Sequence, residues 1–476
     1  SVSKTEGHGF ESCHPCHFPE AVRIFPRSQA DLRRSPFPEG VMGHRMAREP
    51  IAGINLSLTI FSYLRMTRNR RAHCAGSMDC PGRFMRILFY LPVITPWWFG
   101  AIVTPLIALL ARQHDVHVLA PVPWRNTGVG ERERQMCAHL PVTWHIVHDD
   151  SHPSMRTDPV QQAGIVDFVN ALAPDYVLCR SADCETVAAF PGVVRHIMEG
   201  GADPLRLPSD WIVFKERPFD HGILPELGED ETAELDRLSG PLWDALSQSA
   251  ASDDDAMRET FRQWADLPKD RPTLLLPLEY EHEENFFLMH RVGAKSNAAL
   301  VREVAETVGD DVFLAITNHP LNELHVDNSA MEAAVASLGP KARLFPGLDT
   351  GGPGITDLLV RNTDGVLVFD SKIFSLAGHH GAAMLRRSRF ATGDWLNPYT
   401  EFGEFLTAIA QKRARRPDRD TGRTWLAHHI ANDVIDPRDP ELTAAGVLDR
   451  MENSVDPDRW ERGFAHYYET AQGVAA

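Results

Sequence analysis

From Met85 onward the chain alternates short apolar runs with amphipathic stretches, and this rhythm constrains the fold more than any other feature. The runs Ile87 to Leu91, Val116 to Ala120, Thr143 to Val147, Tyr176 to Cys179 and Val193 to Met198 have the length of β-strands. Between them, Phe99 to Arg112 and Gln161 to Ala173 carry apolar residues at helical spacing. Strand, helix, strand in this order implies parallel pairing through crossovers, and so a doubly wound α/β sheet. A second cycle starts at Lys269-Asp270-Arg271-Pro272, with strands predicted at Thr273 to Leu276, Val312 to Ile316, Ala342 to Phe345 and Gly365 to Phe369. Its helices fall at Asn297 to Val308, Ala330 to Leu338 and Ile355 to Arg361. An acidic connection with helices at Glu231 to Ser247 and Met257 to Trp264 joins the cycles, and beyond about Phe402 the chain reads as mostly helical.

The expected organisation is therefore α/β, with two Rossmann-like halves at 85–245 and 271–400 facing a cleft, a linker at 246–270 and C-terminal helices at 401–476. At 476 residues the chain is too long for one compact core. Residues 1–84 do not match the rest. They hold 12 of the 48 Lys and Arg and 7 of the 65 Asp and Glu, a net charge of +5 that leaves −22 for the remainder. With no periodicity there, they read as a disordered or non-native extension, with Met85 or Met78 as the native start. Cys13-His14-Pro15-Cys16-His17 has the spacing of a haem attachment signature. No export signal or small helical domain accompanies it, so the reading is a zinc-clinging or functionless peptide.

The overall charge of −17 excludes a general nucleic-acid binder, which needs a basic face. Seven cysteines at irregular spacing suit a reducing, cytoplasmic location better than a disulfide framework. Ile51 to Leu64 is the most membrane-like stretch, and it is too short and too polar to span a bilayer. Any service to a membrane pathway is expected from its cytosolic face.

Open α/β sheets bind ligands just past their strand ends, so those positions carry the functional reading. After the first strand come Trp97 and Trp98, without a glycine-rich dinucleotide loop. They line a sugar or lipid site or simply cover a helix start. The fifth strand ends in Glu199-Gly200-Gly201, where a carboxylate raised by desolvation would suit a general base and a helix cap or surface residue is the plainer reading. Glu279-Tyr280-Glu281-His282-Glu283-Glu284-Asn285 follows the next strand; without fixed ligand spacing it reads as a polar active-site loop rather than a metal site. Thr317-Asn318-His319-Pro320 comes next. Proline keeps its predecessor extended, so the direction of the His319 side chain is partly preset and could aim an imidazole, charged or neutral, at a phosphate. Two loops complete the rim, one with Gly351 and Gly352 before a helix and one with Ser371, Lys372 and Ser375. Small residues and free N–H groups at a helix start suit a phosphate.

With these residues in view, the second half resembles the nucleotide-sugar domain of bacterial capsule-type GT-B glycosyltransferases, including Kdo and polysialic acid transferases. The resemblance spans roughly residues 85–400. It implies that His319-Pro320 and Ser371, with Ser375 as a lesser candidate, hold a CMP moiety, and that Glu199 before Gly200 is the catalytic base. Asn318 stands where the family usually has Lys, and Lys372 could replace that charge. UDP- and GDP-linked donors therefore stay open. Catalytic Glu199 and His319 are expected, with Glu279, Asn318, Pro320, Gly351, Gly352, Ser371, Lys372 and Ser375 binding substrate or nucleotide. The implied enzyme is inverting and metal-independent, with no cofactor beyond a nucleotide-sugar co-substrate and a glycan or glycolipid acceptor, cytoplasmic or peripheral at the inner membrane face. A nucleotide-sugar 2-epimerase and a non-catalytic glycan- or nucleotide-binding scaffold are the alternatives.

Overall fold

A computed structural model describes residues 84–148, 155–156, 163–181, 183–249, 255–347 and 354–474. The readings made for the front piece and its Cys13–His17 motif, and for Gly351 and Gly352, fall outside the described residues.

The first sheet has six strands: β1 (Arg86–Tyr90), β2 (Asp115–Pro121), β3 (Val142–Val147), β4 (Tyr176–Cys179), β5 (Val193–Glu199) and β6 (Ile212–Lys215). They lie in the order β3-β2-β1-β4-β5-β6, parallel except that β6 runs antiparallel to β5. The second sheet has five: β7 (Thr273–Pro277), β8 (Phe313–Thr317), β9 (Ala342–Phe345), β10 (Gly365–Val368) and β11 (Met384–Arg386). Their order is β11-β10-β7-β8-β9, all parallel. Both sheets thus share one winding, in which the chain steps outward twice, returns past its first strand and fills the other side. The strand order reverses between β1 and β4 in one sheet and between β7 and β10 in the other, and ligands collect at such points.

Central strands of a parallel sheet are covered on both faces, which explains why TLLLP, FLAIT and GVLV read as unbroken apolar runs. Every residue of these three strands is buried. Burying one such Leu or Ile is worth about 2 kcal/mol relative to leaving it exposed.

Three features differ from the sequence reading. The helix expected at Phe99 to Arg112 is interrupted: a turn at Pro96–Trp98 leads into a π-helical turn at Phe99–Val103, and α-helix resumes at Thr104–Leu110. Pro105 lacks an N–H and crowds the carbonyl four residues back, so the local widening has a direct cause. Strands β6 and β11 are short and were not expected. The C-terminal section also returns to the first half. Ile435 pairs with Ile212 in an antiparallel bridge, and Ala444, Val447, Leu448 and Met451 join the core beneath the first sheet. Among the described residues no helix is long and apolar enough to cross a membrane.

Candidate functional site

The strand ends of both sheets border one cleft of about 750 Å³. Its walls include Trp97, Trp98, Arg180 and Glu199 from the first half, and Glu279, Asn318, His319, Pro320, Ser371 and Lys372 from the second. Most of the residues singled out from the sequence therefore come together.

On the first wall, Glu199 ends β5 and its side chain is 30% exposed. Arg180, just past β4, donates from Nη2 to Glu199 Oε1 at 2.7 Å and from Nη1 to the Ile197 carbonyl at 3.1 Å. The guanidinium lies 3.8 Å over the Trp98 ring and 4.8 Å from that of Phe287. Lys372 reaches over from the second half, with Nζ 4.0 Å from Glu199 Oε2. The expectation that desolvation lifts the Glu199 pKa is corrected here. Burial does push it up, but Arg180 and then Lys372 outweigh burial and hold the carboxyl at about 2. Trp98 is a platform for Arg180, while Trp97 stands perpendicular to it and lines the cleft. Asp203 lines the same wall, its carboxyl raised by burial and by Asp357.

The second wall is built on β7, β8 and β10. Residue His319 has the extended backbone that Pro320 demands (φ −71°, ψ 134°) and caps the helix Pro320–His325. Its Nδ1 accepts from the Leu321 N–H at 3.2 Å, which leaves the hydrogen of the neutral ring on Nε2. Burial, assisted by Lys372, holds its pKa at about 4, so the ring is a neutral donor near pH 7. Tyr280 flanks the ring at 5.6 Å.

Asn318 is engaged within its own loop. Its Oδ1 accepts from the His319 N–H (3.0 Å) and from Asn322 Nδ2 (2.8 Å), and its Nδ2 donates to Asn328 Oδ1 at 3.1 Å. A lysine could not accept those bonds, so the loop itself explains the asparagine. Glu279 plays a comparable part. One carboxylate oxygen accepts from the buried Arg291 at 3.0 Å and the other from the Asp370 N–H at 3.1 Å, tying the end of β7 to the end of β10. Ser371 is half-buried in the cleft, and its Oγ accepts from the Ile373 N–H at 3.3 Å. Ser375 does not reach the cleft. It is buried, with its hydroxyl bonded to the Lys372 carbonyl at 2.9 Å.

The acidic loop after β7 bridges the halves rather than gathering ligands. Glu283 pairs with Arg125 (3.0 Å), Glu284 accepts from Asn126 (2.7 Å), and Phe286 packs on Trp124. Among the described residues no three His, Cys, Asp or Glu side chains meet in a way that could hold a metal ion. Arg386, 2% exposed on its side chain, forms a second bridge by donating to the Ala391 carbonyl (2.7 Å) and, across the seam, to the Phe219 carbonyl (2.7 Å).

Sequence reasoning missed Arg180, Arg291 and Arg386. For Arg180 a signal existed: it directly follows the apolar run Tyr176–Cys179, the same kind of position that drew attention to Glu199 and His319. Arg291 and Arg386 follow no predicted strand, and their long-range partners, the Glu279 carboxylate for Arg291 and the Phe219 carbonyl for Arg386, come near only in the fold.

No protein-family model and no curated protein matches the chain. Among solved structures it is similar to the beta Kdo 2,7 transferase KpsC of Thermosulfurimonas dismutans, at 11% identity over 77% of this chain and 98% of that one, with a TM-score of 0.36. It is similar to an O-GlcNAc transferase mutant of Thermobaculum terrenum at 13% identity over 83% and 71%, TM-score 0.29. It is also similar to the UDP-GlcNAc 2-epimerase of Neisseria meningitidis at 15% identity over 82% and 100%, TM-score 0.24.

Proposed function

We propose that this protein is an inverting, metal-independent GT-B glycosyltransferase. It moves a sugar from a nucleotide-sugar donor, CMP-linked in the first instance, to a bacterial surface-polysaccharide or glycolipid acceptor at the inner membrane face. One observation carries the reading: a carboxylate at the end of β5 faces a neutral imidazole, a hydroxyl and a lysine at the ends of β8 and β10 across a single cleft.

The division of labour follows from the two walls. Glu199 takes the proton of the acceptor hydroxyl as its oxygen attacks the anomeric carbon. The bond from that carbon to the nucleotide phosphate breaks, and its electron pair leaves on the phosphate oxygen. His319 Nε2–H, Lys372 and the Ser371 hydroxyl stabilise that developing charge. A carboxyl held at about 2 is a poor base, and the same cations supply the remedy. A donor phosphate competes for Lys372, and removing a cation from Glu199 strengthens it as a base. The donor thereby prepares the site for the acceptor.

The test is thermal unfolding with CMP, UDP and GDP, followed by turnover of the matching nucleotide sugars. One nucleotide should raise Tm by several degrees, since a ligand at a hundred times its Kd adds about 2.7 kcal/mol. No shift with any of the three overturns the reading. Acceptor-independent release of UDP from UDP-GlcNAc would assign the cleft to an epimerase, and binding without turnover to a scaffold.

A further inference from the structure

The C-terminal helices place a buried side chain, His429, behind the first wall of the cleft. Helix Arg419–His428 runs into a five-residue π-helical turn, His429–Asp433. Such turns are rare, and they re-aim side chains that a regular helix would place elsewhere. Here the turn directs His429 at the backbone of Gly200, with Nε2 2.7 Å from its carbonyl oxygen. A carbonyl only accepts, so Nε2 carries the hydrogen and donates.

Gly200 is held from both sides. Its N–H donates to the Trp211 carbonyl at 2.8 Å while its own carbonyl accepts from His429. A side chain there would meet the Trp211 carbonyl oxygen at 3.1 Å, so the segment has little room to shift. The residue before Gly200 is Glu199, and the residue after it, Gly201, lies under Lys372. His429 is fixed in turn. It is 6% exposed, its ring stacks on Trp425 at 5.1 Å, and its Nδ1 lies 3.6 Å from Asp433 Oδ2. Trp425 also packs at 5.4 Å on Phe374, in the helix that begins directly after Lys372. A packed path therefore runs from the second wall through Trp425 and His429 to the backbone of the first.

We infer that His429 is a positioning residue for the transfer reaction, setting the Glu199 carboxylate by holding the Gly200 carbonyl. This rests on the role proposed above for Glu199. Carboxylate placement matters because a displacement of about 1 Å at a reacting group can cost about a hundredfold in rate.

The test compares His429→Gln, whose amide can still donate from the position of Nε2, with His429→Asn, whose shorter side chain cannot reach Gly200, and with His429→Leu. Turnover is measured on whichever of CMP-Kdo, CMP-sialic acid, UDP-GlcNAc and GDP-mannose the wild type consumes, and binding on the free nucleotide. We expect kcat to fall about ten- to hundredfold in the Asn and Leu variants and to stay within about threefold in the Gln variant, with nucleotide Kd unchanged throughout. Should His429→Leu fail to fold, the Gln and Asn pair decides alone. Equal kcat in those two, or nucleotide affinity falling in step with kcat, overturns the inference. Failure of the underlying reading looks different: Glu199→Gln would keep full turnover.

Discussion

The two sheets are wound in the same order, yet their strand ends carry opposite electrostatics. At the end of the first sheet an ionised carboxylate sits between two cations, Arg180 and Lys372. At the end of the second, a neutral imidazole stands beside hydroxyls and a helix start. One winding thus supplies two equivalent platforms, and the loops make one suited to accept a proton and the other to donate hydrogen bonds to an anion. Lys372 belongs to the second platform by sequence and to both by position. The contrast also shows where charge is tolerated. Arg180 is nearly buried, 9% exposed on its side chain, and balanced by Glu199, whereas burial, with Lys372 adding to it, keeps His319 uncharged.

Three substitutions break or sharpen this contrast. The largest effect is expected from Glu199→Gln, which removes the base but keeps the shape of the first wall. Turnover should fall about a thousandfold while nucleotide affinity, measured calorimetrically, stays within a factor of about two. Parallel loss of both would mean that the walls do not divide the work as proposed.

Next is His319→Ala on the opposite wall. Here both quantities should fall: kcat by about a hundredfold through loss of a donor to the leaving phosphate, and nucleotide affinity with it. Unchanged affinity would remove the imidazole from the nucleotide side.

The smallest effect, and the most diagnostic of the charge balance, is that of Arg180→Gln on the pH dependence of Tm. Glu199 binds its proton in the fold only near 2, against 4.5 for the unperturbed carboxyl. Its favourable contribution is thus present above pH 4.5 and lost as the pH falls from there towards 2. Arg180→Gln removes the strongest opposing cation while burial remains, so that contribution shrinks. The difference in Tm between wild type and variant should be several degrees at pH 7 and narrow below about pH 4.5. A gap that stays constant from pH 7 to 3 would show that Arg180 acts by packing on Trp98 and Phe287 rather than through Glu199.

Much of this was legible in the sequence because strand and helix periods are local. The runs at Thr273 and Phe313 gave their strands almost to the residue, and Pro320 fixed the His319 backbone without reference to anything distant. Reading past the strand ends found Glu199, His319 and Ser371. Other roles were hidden for particular reasons. Glu279 and Asn318 line the cleft and also bond within and between its loops, a second part that polar side chains at a strand end do not reveal until their partners are seen. Ser375 lies one helical turn too far along to face the cleft. The proton affinity of Glu199 was misread because desolvation can be guessed from an apolar strand, while the cation opposing it comes from another strand end.

The sequence alone determined two alternating α/β cycles, the strand ends where chemistry could sit, and the residue types available there. Those are consequences of backbone period, proline geometry and side-chain chemistry, which act over a few residues. Tertiary structure decided that Lys372 faces Glu199, that Arg180 and Lys372 together outweigh burial there, and that His429, 229 residues away, grips Gly200. Each depends on hydrogen bonds confined to short range or on charge contacts that strengthen as distance and solvent screening decrease, and only packing brings such distant residues that close.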